Sequence, residues 1–148
     1  MSHRVIIVLF LLMLSMLSAV EENVLLGEWI MDDGKIRSHA FQEPDSSYSA
    51  VITWMKKPNF PDAHPKAGQP ATDVRNPDES LRTRPVIGIK FLNGLEFNGK
   101  LWKHGRFYYP RTGKSYYCSI SVKSAEVAVL RISLDIWGKL GKDYYWYR

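Results

Sequence analysis

Residues 114–134 read KSYYCSISVKSAEVAVLRISL, and this stretch decides the fold class. Two runs in it alternate apolar with polar residues; the apolar positions are Tyr116, Cys118, Ile120 and Val122, then Leu130, Ile132 and Leu134. A period of two with one apolar face is typical of antiparallel strands that bury one side. Residues 123–126 between the runs predict a turn, so the segment is interpreted as two neighbouring antiparallel strands.

Strand patterns continue on both sides of this segment. We predict eight short strands, at 25–31, 36–42, 48–55, 85–92, 107–109, 115–123, 127–134 and 144–148. Asp33-Gly34 is a strong hairpin turn because both positions tolerate positive φ, and Asn93-Gly94 and Asn98-Gly99 are further predicted turns. The spacing of strands and turns indicates an all-β domain, either an up-and-down barrel or a sandwich.

One long connection interrupts the strands. Residues 56–85, the proline-rich loop, contain six of the eight prolines, a density that forbids a regular helix or a central strand through most of it. Asn76 followed by Pro77 is typical of a helix start, with Asn76 as N-cap, and predicts one or two helical turns up to about Arg82. A connection of this length in a compact domain tends to be functional or mobile.

The N-terminus has the pattern of an export signal. Arg4 precedes a nearly unbroken apolar run over 5–17, and Ser18 and Ala19 are small. We predict a signal peptide over residues 1–19, cleaved after Ala19, and a single domain over 20–148 that is periplasmic or secreted. The apolar run is short for a membrane span, so no stable membrane insertion is expected after cleavage.

Charge and cysteine content exclude some classes. The net charge of +5 at pH 7 becomes +4 without Arg4 and is spread along the chain, so a nucleic-acid partner is not expected. Cys118 is the single cysteine, so no internal disulfide can form, and its apolar neighbours indicate an inert core thiol.

Several segments carry a resemblance to a known family. They are 27–29 (GEW), 32–35 (DDGK), 61–68 (PDAHPKAG), 72–78 (TDVRNPD), 84–88 (RPVIG) and 145–148 (YWYR). Together they resemble the bacterial family of secreted domains numbered two-one-four-seven among domains of unknown function. The resemblance implies a lipocalin-like fold, that is, an eight-stranded antiparallel up-and-down barrel.

The lipocalin resemblance also implies structural roles for three residues. Gly27 and Trp29 are similar to the Gly-X-Trp of a lipocalin first strand, and Arg148 is similar to the arginine that stacks on that tryptophan at the barrel floor. Connections of such a barrel alternate between its ends. The proline-rich loop is the third connection, so we expect it opposite the floor, over the mouth.

The same loop carries the candidate site residues, which are Asp62, His64, Lys66, Asp73, Arg75, Asn76, Asp78, Arg82 and Arg84. Asp62, His64 and Asp73 are residue types suited to metal binding or acid–base chemistry, but His-Pro and Asn-Pro sequences are also turn chemistry. Loop ordering by hydrogen bonds and ion pairs is the favoured interpretation, with Asp73 and Asp78 as backbone caps and Arg75 and Arg84 as their ion-pair partners.

No catalytic motif, metal site or cofactor site is expected, so the chain is not interpreted as an enzyme. The favoured function is a binding protein for a small, largely apolar ligand held inside the barrel. The alternative is a structural or interaction protein of the bacterial cell envelope with a barrel filled by its own side chains. The interior volume distinguishes the two.

Overall fold

A computed structural model of the chain describes residues 21–31 and 33–148. The predicted signal peptide, residues 1–19, lies outside the described residues. Eight antiparallel strands close into a barrel in sequential order, which confirms the up-and-down barrel and excludes the sandwich. The strands are β1 (Gly27–Met31), β2 (Ile36–Gln42), β3 (Tyr48–Met55), β4 (Lys90–Phe97), β5 (Trp102–Tyr109), β6 (Lys114–Ser124), β7 (Val127–Ser133) and β8 (Gly141–Tyr147).

The hairpins predicted from the sequence are present. In the β6–β7 pair, Cys118 lies opposite Ile132 and Ile120 opposite Leu130, so apolar positions of both strands share one face. In the β1–β2 turn, Asp33 and Gly34 have φ values of 52° and 82°. This is the left-handed conformation that favours Asp-Gly, and it matches the right-handed twist of the flanking strands.

The largest differences from the predicted strand boundaries lie in β4 and β5. The predicted turn at Asn93-Gly94 is wrong, because β4 continues through both residues. Gly94 has a φ of 69°, and the register of β4 against β3 shifts in this region, so the glycine serves an irregular strand rather than a turn. The predicted strand at 85–92 begins only at Lys90, and β5 begins five residues before its predicted start.

Short 3-10 helices lie at two places. One over Glu22–Leu25, which the sequence analysis missed, precedes β1. The other covers only Glu79–Leu81 within the proline-rich loop. Its N-cap is Asp78, whose carboxylate accepts from the Ser80 N–H, and not Asn76 as predicted. Asn76 instead accepts from the backbone N–H of Asp78, one step before the helix.

The lower half of the barrel is filled by aromatic side chains. Trp29, Trp102, Trp146 and Tyr48 are fully buried there, together with aliphatic residues from the same strands. Trp29 and Trp146 pack with ring centroids 6.4 Å apart, and Tyr48 meets Trp102 edge-on at 6.1 Å. Such offset and edge-to-face pairs add to the stabilisation from burial alone. The interior at this level is therefore occupied by side chains.

The seam between β1 and β8 is the weakest of the barrel. A single pair, Ile30 with Tyr147, joins these strands in the described chain, whereas each of the other seams has three or more paired positions. No helix within residues 21–31 and 33–148 is long and apolar enough to cross a membrane.

Candidate functional site

A cavity of about 790 Å³ occupies the upper barrel at the end where β1–β2, β5–β6 and β7–β8 connect. We call it the mouth cavity. Its wall is largely apolar and aromatic and includes Met31, Ile36, Phe107, Tyr109, Tyr116, Leu130, Ile132 and Trp146. These positions follow the inward alternation of their strands, and Trp146 joins the cavity to the aromatic layer below. Asp143, Tyr145 and Tyr147 also line the space, from the other face of β8, so the cavity reaches past this strand. The barrel is thus half filled and half open.

The rim of the mouth cavity carries charges of both signs. Lys142 lies opposite Ile132 in the β7–β8 register and alternates with Tyr144 and Trp146, which places it on the inward face. Arg111 lines the cavity from the β5–β6 turn, and Asp33 from the β1–β2 turn. Within the described chain neither Arg111 nor Lys142 forms an ion pair. The rim therefore offers two cations to a bound anionic group.

The opposite end is closed by the last residue. The Arg148 guanidinium lies 4.3 Å from the ring centroid of Trp29, as predicted for the floor. Its Nη2 also donates to the carbonyls of Val24 and Leu26, at 2.7 and 2.6 Å, and Trp29 Nε1 donates to the Leu25 carbonyl. Arg148 thus ties the end of β8 to the helix before β1, across the weak seam.

Gly27 has a different role from the one expected. The lipocalin resemblance implies that a glycine here lets the chain pass close to a neighbour at the floor. In the structure a Cβ at this position would meet no described atom within 4 Å, but φ is +103°. The glycine is needed for this backbone conformation, which L side chains rarely adopt.

The proline-rich loop is organised around Asp73, which is fully buried. Its carboxylate accepts from Tyr108 Oη at 2.6 Å, from Asn76 Nδ2 at 2.8 Å and from Arg84 through Nε at 3.1 Å and Nη2 at 2.9 Å. Burial and the hydrogen bond to Asp73 raise the pKa of Tyr108 to about 12. The ion pair of Asp73 with Arg84 is as predicted. The donors are side chains, however, and not the backbone groups expected of a cap.

The loop does not form the mouth cavity. Tyr108 lies between Phe107 and Tyr109, which line the cavity, so it points to the outer wall of β5 and holds Asp73 there. The Arg75 carbonyl packs against Gly113 of the β5–β6 turn, where a Cβ would lie 1.9 Å from it. Of the described residues that line the cavity, none belongs to 56–85. The expectation that the loop covers the mouth and holds the site is therefore not supported by the cavity lining, since the loop is anchored on the outer wall of β5.

The other predicted loop residues have local structural contacts. His64 stacks on Phe60 at 4.1 Å and accepts from the Lys66 N–H, and Arg82 pairs with Glu79 and donates to the Asn76 carbonyl. Asp78 is the predicted cap, since its carboxylate accepts from Ser80. Asp62 and the Lys66 ammonium are exposed and join none of these contacts. Arg75 is not seen in the predicted ion pair among the described residues. Its backbone carbonyl instead packs against Gly113.

Metal and thiol chemistry find little support in these positions. In the part of the chain that the structure describes, no three potential metal ligands cluster together. Of the residues suggested as ligands, Asp62 is exposed, whereas Asp73 is fully buried and its carboxylate is engaged by three donor residues. Burial raises the pKa of the Cys118 thiol to about 12, as is typical of an inert core cysteine.

Sequence reasoning missed the residues of the mouth. Nothing in the sequence near Arg111 and Lys142 marks them as rim residues. Residues 134–140, LDIWGKL, begin with the last residue of the strand predicted at 127–134 and continue into the connection that follows it. Their signal was available: four large apolar residues lie in a connection where polar residues are usual.

Comparisons with known proteins agree with the barrel geometry. The family model for uncharacterized proteins conserved in bacteria, DUF2147, matches residues 27–148. A solved structure, that of protein HP1028 from Helicobacter pylori, which belongs to the lipocalin family, is similar with a TM-score of 0.70 and 26% identity over 84% of this chain and 82% of that chain. No curated protein matches the sequence. The chain belongs to the DUF2147 family of bacterial proteins, and its barrel is lipocalin-like.

Proposed function

We propose that this protein binds a small, largely apolar ligand in the mouth cavity. The observation that carries the proposal is the cavity itself: about 790 Å³ above a filled floor, with apolar and aromatic walls. Ligand sites in proteins typically measure about 300–1,000 Å³ and are mostly apolar with a few placed polar groups. The similarity to a lipocalin-family structure supports the same class of function.

The rim specifies one end of the ligand. Arg111 and Lys142 flank the cavity and lack ion-pair partners among the described residues, whereas the nearby Asp143 is paired with Arg131 at 2.8 Å. A carboxylate or phosphate at the rim would pair with these cations while its apolar body lies against Ile132 and Phe107. The proposed ligand is therefore amphipathic, with an acyl or similar apolar body and an anionic head.

Binding rather than catalysis, and export, are parts of the same proposal. The described cavity residues form no hydrogen-bonded pair of nucleophile and base, which supports a binding role. Export is supported by the signal pattern over residues 1–19. Mass spectrometry of the protein from a periplasmic or culture fraction is expected to find Val20 as the first residue, and an intact N-terminus on all material would contradict export.

The ligand proposal is tested by titration with cis-parinaric acid, a fluorescent fatty acid, in the absence of membranes. Saturable binding by the wild-type chain is expected. Ile132→Trp fills the cavity and should abolish binding, whereas Ser119→Trp places the same side chain on the outer wall and should not. Circular dichroism checks that both variants keep the barrel. No binding by the wild type, or equal binding by both variants, would favour the envelope protein with a filled barrel.

The role of the rim is tested with a neutral competitor. Lys142→Met should weaken parinaric acid binding about tenfold, through loss of one charge-assisted contact, and leave the binding of a long-chain alcohol nearly unchanged. Lys123→Met, outside the cavity, is the matched control. Equal weakening of acid and alcohol would show that Lys142 acts through shape and not through charge.

A further inference from the structure

The connection between β7 and β8, residues 134–140, displays its apolar side chains to solvent. We call it the apolar turn. Trp137 is 79% exposed, Leu134 and Leu140 are each 69% exposed, and Ile136 is 54% exposed. Scattered exposed apolar residues are common on protein surfaces, but four in one seven-residue turn form a contiguous patch of the kind that marks an interaction site.

The turn is held in one shape by its own polar groups. The Asp135 carboxylate accepts from the backbone N–H groups of Trp137 and Lys139 at 3.0 Å and of Leu140 at 2.5 Å. Arg131 Nε donates to the Gly138 carbonyl, and Gly138 has a φ of 73°. Because these backbone groups are already paired, the turn can lose the water around them without leaving them unsatisfied.

Cations surround the patch. Lys139 lies within the turn, and Lys142 and Arg111 line the adjoining cavity rim. Of the nearby carboxylates, Asp135 is engaged by the turn's backbone and Asp143 by Arg131, and the three cations form no ion pair within the described chain. Asp33 adds one negative charge at the rim, against the three positive charges of these cations. An apolar tip with tryptophan and flanking lysines is the pattern of a segment that sits in a membrane interface.

We propose that the apolar turn docks the barrel, mouth first, on a bilayer that contains anionic phospholipid. A turn of seven residues is far smaller than the ~20–30 residues per side of a stable protein interface, which argues against a second copy as the occupant. Leu134 and Leu140 belong to both the patch and the cavity wall, so docking would open the cavity toward the lipid. This surface goes beyond the proposed ligand binding and does not depend on it.

Flotation with vesicles tests the docking. The full mature chain is mixed with large unilamellar vesicles of phosphatidylcholine, with or without about 30 mol% phosphatidylglycerol. The wild type should float with the anionic vesicles, and salt should weaken the binding. Trp137→Ser should lower the partition coefficient about tenfold, and Lys139→Gln by a smaller factor. Trp54→Ser, which removes a 40% exposed tryptophan stacked under Arg37 on the outer wall, should have little effect.

A second readout locates the contact. Lipids with brominated acyl chains should quench part of the wild-type fluorescence, since Trp137 is the most exposed of the five tryptophans. Trp137→Phe keeps an apolar ring, so this variant should still float but lose the quenching. Absence of flotation of the wild type, or equal flotation of Trp137→Ser and Trp54→Ser variants, overturns the proposal.

Sedimentation in the absence of lipid tests whether a second copy of the chain, and not a bilayer, covers the patch. A dimer that Trp137→Ser converts to a monomer would assign the patch to a second copy and overturn membrane docking. The parinaric acid titration contains no vesicles, so failure of ligand binding and failure of docking are seen in different experiments. Flotation without ligand binding would support membrane docking and contradict only the proposed ligand binding.

Discussion

The proline-rich loop and the apolar turn leave the same end of the barrel, and each is organised by one aspartate. Asp73 is fully buried and collects side-chain donors from three, eleven and thirty-five residues away. Asp135 collects backbone N–H groups from the next five residues only. The first carboxylate ties a loop to the barrel wall, while the second ties a turn to itself.

This difference explains what each segment exposes. In the proline-rich loop Asn76 and Arg84 turn inward to Asp73, and this part of the loop becomes part of the folded wall. In the apolar turn the backbone is satisfied locally, so the side chains are left pointing outward. An aspartate that binds side chains is thus structural, and one that binds its own backbone can support a contact surface.

Replacement of Asp73 should have the largest effect. Asp73→Ala leaves Arg84, Asn76 and the Tyr108 hydroxyl without their shared acceptor, and we expect a loss of about 3 kcal/mol in the free energy of unfolding. Urea denaturation followed by circular dichroism measures it. Asp62→Ala, an exposed carboxylate in the same loop, should change stability little. Equal effects of the two substitutions would mean that the loop does not depend on its buried anchor.

Gly113 should be the next most sensitive position. A Cβ there would lie 1.9 Å from the Arg75 carbonyl, and φ is +70°. Gly113→Ala is expected to cost about 2 kcal/mol or more, since strain adds to the clash. Gly68 has a similar φ of +77° with no described atom near its Cβ position, so Gly68→Ala shows the strain alone. The excess in Gly113→Ala, measured by thermal unfolding, reports the docking of the loop on the β5–β6 turn.

Tyr108→Phe should have a moderate effect. It removes one donor to Asp73 and should cost about 1–2 kcal/mol, with Tyr117→Phe on the neighbouring strand as a control near zero. The folded-state pKa of Tyr108 is raised, to about 12, by burial first and by Asp73 second. Its contribution is therefore complete below about pH 10 and is lost as pH rises toward 12. Stability measured across this window should fall less steeply in Tyr108→Phe than in the wild type.

Asp135→Ala should leave global stability nearly unchanged and act on the turn alone. Hydrogen exchange at the amides of Trp137, Lys139 and Leu140 should accelerate, and flotation with anionic vesicles should weaken. Asp45 makes a similar local contact in the β2–β3 turn, to Ser47, so Asp45→Ala is the matched control for flotation. A large fall in unfolding free energy for Asp135→Ala would contradict the contrast between the two segments.

Lowering the pH should reduce amide protection in the apolar turn, as Asp135→Ala does, because it protonates the Asp135 carboxylate. The backbone N–H of Leu140 contributes most to holding the pKa of Asp135 below its ordinary value, followed by those of Lys139 and Trp137. Because the folded-state pKa is depressed, the order of the turn is complete above about pH 4 and is lost as pH falls through that lower pKa. Amide protection in the turn, followed by NMR as pH decreases, measures the transition.

Local patterns were sufficient for most strands and hairpins, the family resemblance added the barrel and its floor, and neither was sufficient for the site. Alternation in the β6–β7 segment and the Asp33-Gly34 turn follow local rules, and Trp29 and Arg148 lie at chain positions that closure must bring together. The mouth cavity depends on how far up the barrel the aromatic layer reaches, which no local pattern encodes. The turn predicted at Asn93-Gly94 was wrong because a glycine with positive φ fits an irregular strand as well as a turn.

The single pair between Ile30 and Tyr147 also has a consequence for folding kinetics. Seven seams join strands consecutive in the chain and can form by local zippering, whereas the eighth must bring residues more than a hundred positions apart into contact. Closing so long a loop is entropically costly, so the eighth seam is expected to form last. It is also held by the fewest strand hydrogen bonds, so it should be the first to open in native-state fluctuations. The hydrogen bonds from Arg148 to the Val24 and Leu26 carbonyls then limit the opening of the barrel along this one seam.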